Sequence, residues 1–194
     1  MKFRFKSTDL TAALVMIFAA AVFFVNDSTA QGKTYRIGDK GPAGGWVFYD
    51  KGSSDGGWRY LEAAPVDQSL EGGIEWGCYD KSVPGAKGKA IGTGKSNTQS
   101  IIKSCGEEQT AAKLCTAYRG GGKSDWFLPS KDELDLMFKN LQAEDIGGLT
   151  VMFYWSSSEF DSSLSWMQGF ASGDEDYMDK HCKLYVRAVR AFND

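Results

Sequence analysis

The decapeptide DWFLPSKDEL, residues 125–134, constrains the fold of this chain more than any other stretch. Pro129 has no N–H to donate and biases Leu128 towards an extended conformation, so the apolar run before it ends as a short strand. Ser130 and Glu133 then match the S-x-x-E capping box that starts a helix. Four apolar side chains follow at the spacing of one buried helical face: Leu134, Met137, Phe138 and Leu141. The stretch therefore predicts a structural joint between strand and helix rather than a catalytic turn.

Apolar runs of strand length lie on both sides of this joint. The runs 44–50 and 57–65 are separated by a polar tip and predict a β-hairpin. The runs 151–160, 164–173 and 183–192 predict a C-terminal antiparallel meander. Because the last run is apolar on both alternating faces, we expect it to be the central strand of that meander.

Two further helices are predicted before the joint. A short one begins at Ser96 or Asn97, and the second follows Ala111, Leu114, Cys115 and Tyr118 along one helical face before three glycines end it. The segment 67–96 is rich in glycine and lacks periodicity, which predicts an irregular loop. Strands and helices that are segregated along a chain of this length are typical of a single α+β domain.

The first thirty residues have the three-part pattern of a secretory signal peptide: a basic start, the uncharged apolar run 11–25 and the small residue Ala30. The apolar run is shorter than the roughly 20 residues of a spanning helix. We expect cleavage after Ala30 and an exported domain over 31–194, in the periplasm, at the cell surface or secreted, without a membrane span. An uncleaved signal anchor is the alternative.

The charge balance argues against a nucleic-acid partner. After the first thirty residues, the chain keeps 19 basic and 23 acidic residues, whereas a general polyanion binder is strongly basic. The stretch KGKAIGTGKS resembles a phosphate-binding loop, but Lys89 stands at the position that must be glycine, and no apolar strand precedes it. We therefore expect neither nucleotide nor any other cofactor.

The four cysteines are Cys78, Cys105, Cys115 and Cys182. An even number of cysteines in an exported chain predicts two disulfides, and three pairings are open. A zinc site is the rival interpretation, but the chain has no C-x-x-C pair and His181 is its one histidine, so we expect no metal. His181 and Cys182 are also poorly placed as a catalytic pair, because neighbours on a strand point to opposite faces.

A long loop inside a compact domain is often functional, and the segment 67–96 carries Trp76, Lys87, Lys89 and Lys95. We expect Trp76 to stack on a ligand and the three lysines to contact acidic groups. The alternatives are a core position for Trp76 and a solvated surface for the lysines. The acidic stretch GDEDYMD, residues 173–179, is the other candidate site, for calcium, but it lacks the EF-hand spacing and predicts a solvated hairpin tip.

Seven separated blocks carry a family resemblance: GPAGGWVFYD, GWRYLEAAP, AIGTGKSNT, AAKLC, DWFLPSKDEL, YWSSSE and YVRAVRAF. In this order they resemble the Lcl C-terminal domain family, named after the C-terminal domain of a bacterial collagen-like adhesin, over nearly all of residues 35–193. The resemblance implies a bacterial exported protein with a C-type-lectin-like fold. The named adhesin binds sulfated glycans, so the resemblance implies an adhesin-like binding module for a glycan or an envelope or host protein.

The resemblance also implies a disulfide pairing. Lectin-like folds tie a helix to the sheet with a disulfide, which implies Cys115–Cys182 and leaves Cys78–Cys105 as the second pair. We expect a non-enzymatic binding module. A structural envelope protein without a ligand is one alternative, and a relative of the formylglycine-generating oxidases, which need a redox-active cysteine pair near the C-terminus, is the other.

Overall fold

The computed structural model describes residues 32–69 and 71–193. They form an α+β fold, as the sequence predicts, with two three-stranded antiparallel sheets and three α-helices. The strands are β1 (Trp46–Asp50), β2 (Tyr60–Ala63), β3 (Phe153–Glu159), β4 (Leu164–Gly169), β5 (Glu175–Asp179) and β6 (Val189–Phe192). The helices are α1 (Gly94–Ser104), α2 (Ala111–Ala117) and α3 (Lys131–Asn140). The expected signal peptide and its cleavage after Ala30 lie outside the described residues.

The first sheet has the order β1-β2-β6. β1 and β2 form the predicted hairpin, and β6 pairs with the other side of β2, so Ala63 lies opposite Val189. The prediction that the last strand is the centre of a C-terminal meander is therefore wrong. Phe127 covers the outer side of β6 through two backbone hydrogen bonds with Val189, of 2.8 and 2.9 Å. This isolated bridge covers the outer side of β6, but β6 remains the last strand of its three-stranded sheet.

The second sheet has the order β3-β4-β5. Its third strand lies within the acidic stretch that predicts a turn, so that prediction is also wrong. Three of the five residues of β5 are exposed, and edge strands commonly carry charges that prevent pairing with other chains. Such a strand has no apolar face that a periodicity argument could detect.

The capping box and helix of the joint at 125–134 form as predicted, whereas the run before Pro129 makes only an isolated bridge at Phe127. Ser130 Oγ accepts from the backbone N–H of Glu133, and the carboxylate of Glu133 accepts from the N–H of Ser130, which completes the capping box. Leu134, Met137 and Leu141 are buried against the first sheet. The joint therefore fixes where α3 begins and which face it buries.

The other two helices also form. α2 is capped by Thr110 and buries Cys115, as predicted. α1 begins two residues before the predicted cap at Ser96, and Asn97 and Thr98 are buried within it rather than placed at its end. Within the described ranges, no helix combines the length and the apolar character needed to cross a membrane.

Candidate functional site

Trp76, the expected stacking platform, is fully buried. Its Nε1 donates to the carbonyl of Ser156 at 2.8 Å, and the ammonium of Lys180 lies 4.7 Å from its ring centroid. The glycine-rich segment packs against β3, and its one tryptophan fills the core beneath it. The expectation that Trp76 contacts a ligand is therefore wrong, and the core alternative is correct.

A buried ion pair anchors the middle of the same segment. The side chains of Glu159 and Lys180 are fully buried, and Lys180 Nζ lies 2.7 Å from Glu159 Oε1. Glu159 Oε1 also accepts from the N–H of Val83 at 2.7 Å. Lys180 donates further to the carbonyls of Lys81 and Ser162. Burial lowers the pKa of Lys180, and its hydrogen bond to Glu159 opposes that effect. Every N–H of the ammonium thus has an acceptor, and the loop is fixed to the end of β3.

A second buried carboxylate anchors the next part of the segment. Glu133 accepts from the N–H of Gly92 at 2.8 Å in addition to its capping bond with Ser130. Burial raises the pKa of Glu133 to about 7, although the backbone donors around it act in the opposite direction. The same capping residue that starts α3 therefore also holds the loop that carries the candidate lysines.

The structure contains one of the two expected disulfides. Cys78 is bonded to Cys105 across 27 residues of the chain, as predicted. Cys115 and Cys182 are free thiols, so the predicted Cys115–Cys182 bridge is wrong. That pairing assumed that Cys182 leads into a central strand, whereas it lies in the turn after β5, where its N–H donates to the carbonyl of Asp179.

The sulfur groups offer no reactive pair or metal site in the described part of the chain. Burial raises the pKa of the Cys115 thiol, which opposes formation of a reactive thiolate. The one metal-like group of side chains there is Cys78, Cys105 and Glu107. Its two sulfurs are bonded to each other, and Glu107 accepts from the N–H of Cys78.

The three candidate lysines are all exposed, but they do not share one surface. Lys87 Nζ donates to the carbonyl of Phe160 at 3.2 Å and also lies 3.4 Å from the buried carboxylate of Glu159. Lys89 Nζ lies 4.5 Å from the ring centroid of Trp166. Lys95 lies in the first turn of α1, close to Asp125. The pKa of Asp125 is lowered by its hydrogen bonds with Arg190 and, to a smaller extent, by the charge of Lys95. Lys87 and Lys89 thus belong to one surface and Lys95 to another.

The surface that holds Lys87 and Lys89 is built around three aromatic rings. Trp166 on β4 lies directly opposite Tyr177 on β5, and Phe160 follows the end of β3. Phe160 and Tyr177 are stacked with centroids 4.3 Å apart, and Trp166 meets both edge-on. Phe160 is 40% exposed and Tyr177 43% exposed. We call this region the Trp166 surface and define it by six residues: Phe160, Trp166, Tyr177, Lys87, Lys89 and Lys131.

Lys131, in the first turn of α3, adds a third ammonium to this surface. Its Nζ lies 5.1 Å from the Trp166 ring centroid and 2.6 Å from the carboxylate of Glu175. The ammonium groups of Lys89 and Lys131 thus lie near the same indole ring, whose π-face attracts both cations. Exposed rings and ammonium groups together can bind a ligand by stacking and by charge.

The four carboxylates of the acidic stretch do not converge on a metal site. Asp174 accepts from Ser172 Oγ, Glu175 pairs with Lys131, and Asp179 lies 2.6 Å from Nδ1 of His181. Because they lie on or beside an extended strand, their side chains point in alternating directions. The described residues place none of them in a cluster suited to a metal ion.

The sequence predicts Lys87 and Lys89 as binding residues but does not indicate the three aromatic rings beside them. Phe160 and Trp166 lay in runs that predicted core strands, and Tyr177 lay in the predicted acidic turn. The alternation L-S-W-M-Q, which places Trp166 and Gln168 on one face, was the available indication. No alternation identifies the partner strand EDYMD, so the pairing of Trp166 with Tyr177 needed the structure.

No protein-family model matches this chain, and no curated protein matches it.

Proposed function

We propose that this chain is an exported, non-enzymatic binding module that recognises an acidic ligand, carried by a glycan or a protein partner, through the Trp166 surface. We also propose that it is a member of the Lcl C-terminal domain family with a C-type-lectin-like fold and an adhesin-like role. The observation that carries the binding function is the exposed Phe160–Tyr177 stack beside Lys87, Lys89 and Lys131.

The charge of the surface supports an acidic ligand. The ammonium groups of Lys89 and Lys131 lie 4.5 and 5.1 Å from the centroid of the same ring, so their charges repel each other. Glu175 neutralises one of them, because it pairs with Lys131. An incoming carboxylate or sulfate would offset the remaining positive charge.

The rings support a ligand with a flat or apolar face. Phe160 and Tyr177 expose about two fifths of their surface each, and aromatic side chains with one wet edge are common at binding surfaces. The loop that carries the lysines is also held in place before binding, by the anchors at Glu159 and Glu133. Such preorganisation reduces the entropy lost on binding.

The test is a screen of the purified protein against an array of acidic glycans and acidic peptides, followed by titration of the strongest ligand. The variant Lys87→Ala/Lys89→Ala should weaken binding about tenfold or more, because two charge contacts of about 1 kcal/mol each are lost. Lys95→Ala is the matched control, since it removes an exposed lysine from a different surface. Binding should also weaken as salt rises and should not change when calcium is chelated.

The control result decides between sites. If Lys95→Ala weakens binding and the double variant does not, the ligand binds near α1 rather than at the Trp166 surface. If chelation abolishes binding while the double variant binds normally, the acidic stretch is the site.

A structural role in envelope assembly is the second candidate function. Val151, Met152 and Phe153 are consecutive and 62, 46 and 48% exposed. Met152 and Phe153 line a groove of about 160 Å³ together with Gly72, Lys183, Leu184 and Tyr185. An exposed apolar run of this kind marks a protein contact in many structures. Concentration-dependent self-association that Met152→Ser abolishes, with no ligand on either array, would favour this role over ligand binding.

A further inference from the structure

Two buried side-chain atoms in the described part of the chain have no hydrogen-bond partner: Trp166 Nε1 and Gln168 Oε1. Trp166 and Gln168 are two positions apart on β4, so their side chains project from the same face of the sheet, about 7 Å apart along the strand. One atom is a donor and the other is an acceptor. One face of β4 thus carries a buried donor and a buried acceptor that both lack a partner within the described residues.

The orientation of the Gln168 amide is fixed by its other contacts. Its Nε2 lies 3.2 Å from the carboxylate of Asp135 and 3.1 Å from the carbonyl of Gly173. Both of these groups are acceptors, so exchanging the amide nitrogen and oxygen would set three acceptors against one another. The unpartnered atom of Gln168, a residue only 1% exposed, is therefore an oxygen that needs a donor.

An ion pair lies over the same two residues. Glu175 is the cross-strand partner of Gln168, as Tyr177 is of Trp166. The ammonium of Lys131 spans the two pairs, because it contacts Glu175 at 2.6 Å and lies 5.1 Å from the Trp166 ring centroid. The side chains of Lys131 and Glu175 are 16 and 33% exposed. A partly exposed ion pair is weak and opens readily, and its opening would expose Trp166 Nε1 and Gln168 Oε1 to solvent.

We propose that Trp166 Nε1 and Gln168 Oε1 form a subsite for a hydroxyl group of an uncharged sugar or polyol, which reaches them when the Lys131–Glu175 pair opens. A hydroxyl accepts from the indole N–H and donates to the amide oxygen, whereas a carboxylate or sulfate cannot donate and an ammonium cannot accept. The neighbouring Phe160–Tyr177 stack offers a face for the carbon skeleton of the same ligand. The inference rests on the proposed function only in placing the ligand at the Trp166 surface.

The competing occupant is a single ordered water, which also donates and accepts. A water is replaced by a ligand hydroxyl only if the ion pair opens and the rest of the ligand fits the rings. The experiment must therefore detect whether an added hydroxyl compound reaches the indole N–H itself.

The test follows the indole N–H signals of the six tryptophans by nitrogen–proton correlation spectroscopy of the purified protein. The probes are the methyl pyranosides of glucose, galactose and mannose, together with glycerol. The variant Trp166→Phe identifies the Trp166 signal by its disappearance. We expect that signal to shift in a saturable way with at least one probe.

Two variants sharpen the result. Trp166→Phe keeps a ring on the surface but removes the donor, so calorimetric affinity for the active probe should fall about tenfold. Glu175→Gln weakens the ion pair and should leave the probe bound at least as tightly as in the natural chain. If the Trp166 signal stays fixed with all four probes, or if Trp166→Phe binds the active probe unchanged, the two atoms bind ordered water only and the proposal is overturned.

The probes are uncharged, so the lysine contacts of the proposed function do not enter this titration. A shifted Trp166 signal without any acidic ligand on the arrays would retain the subsite and reject the proposed function. Binding of an acidic ligand with a fixed Trp166 signal would retain the proposed function and reject the subsite. The shift itself is measured on the natural chain, and if Trp166→Phe folds poorly, resonance assignment of the natural chain identifies the Trp166 signal instead.

Discussion

Trp126 and Trp166 have similar neighbours, but their polar groups differ in one respect. Trp126 meets Tyr118 edge-on, with Arg190 6.0 Å from its ring centroid, and its Nε1 donates to the carbonyl of Gly120. Trp166 meets two aromatic rings and two lysines, but its Nε1 has no partner. Each region joins aromatic rings to cations, yet only the first satisfies all of its polar groups.

The cations show the same contrast. Arg190 donates to both oxygens of Asp125 and to the fully buried Glu62, which also accepts from the N–H groups of Ala43 and Gly45. Lys131 has one carboxylate partner, Glu175, and the side chains of both residues are partly exposed. A network that is complete within the chain holds the fold together. A surface with unmet donors, acceptors and charges is suited to bind another molecule.

The largest expected difference between the two regions is in the cost of removing the cation. Arg190→Met leaves the carboxylate of Glu62 buried without a cation, and we expect a loss of about 3–5 kcal/mol in the free energy of unfolding. Lys131→Met removes a partly exposed partner and should cost less than about 1 kcal/mol. Urea unfolding measures both, and equal losses would refute the contrast between a structural and a binding region.

The disulfide tests how the loop that carries Lys87 and Lys89 is held. Cys78→Ala/Cys105→Ala should lower the free energy of unfolding by about 2–4 kcal/mol, because the bond restricts a 27-residue separation in the unfolded chain. Cys182→Ala, which alters a free thiol, is the control and should cost less than about 1 kcal/mol. An unchanged urea midpoint in the double variant would show that the buried carboxylates alone fix the loop.

Glu133 makes stability depend on pH. Its pKa is about 7 in the folded chain against 4.5 for an ordinary glutamate, so the folded state binds more protons than the unfolded state between these values. The stabilising effect is complete below pH 4.5 and is lost as pH rises through 7. We expect a loss of about 1–3 kcal/mol across this range. In urea unfolding at several pH values, Glu133→Gln should remove this slope, and a variant with the full slope would contradict the assignment.

The smallest expected effects come from the two tryptophans themselves. Trp126→Phe deprives the carbonyl of Gly120 of its donor and leaves a small void, so it should cost about 1–2 kcal/mol. Trp166→Phe removes an N–H that has no acceptor and should change the free energy of unfolding by less than about 0.5 kcal/mol. If the two variants lose equal stability, a permanent partner satisfies Trp166 in the folded chain.

Much of the fold follows from local sequence patterns. The capping box at Ser130 and Glu133, the first hairpin and α2 are all where the sequence predicts them. The α+β class follows from the same elements. In each case the information lies within about ten residues, where turn chemistry, capping and side-chain periodicity decide the outcome.

The missed features depend on residues that are distant in the chain. β6 lies in the first sheet because it pairs with β2, more than a hundred positions earlier, and β5 is a strand because Trp166 and its neighbours pair with it. The Cys115–Cys182 prediction failed for the same reason, since it depended on the assumed position of Cys182. The sequence predicts the capping role of Glu133 but not its hydrogen bond with the N–H of Gly92, which lies 41 positions away.

The sequence by itself determined the three helices, the first hairpin and the α+β class, but not β5, because helix caps, turn residues and apolar periodicity act between near neighbours. The tertiary structure decided which tryptophan is fully buried and which one lies at a partly exposed surface. Trp76 lies in a glycine-rich segment and Trp166 in an apolar run, but β3 covers Trp76, whereas Trp166 lies beside an exposed edge strand. Burial depends on which distant segment packs over a side chain, and a local pattern does not specify that segment.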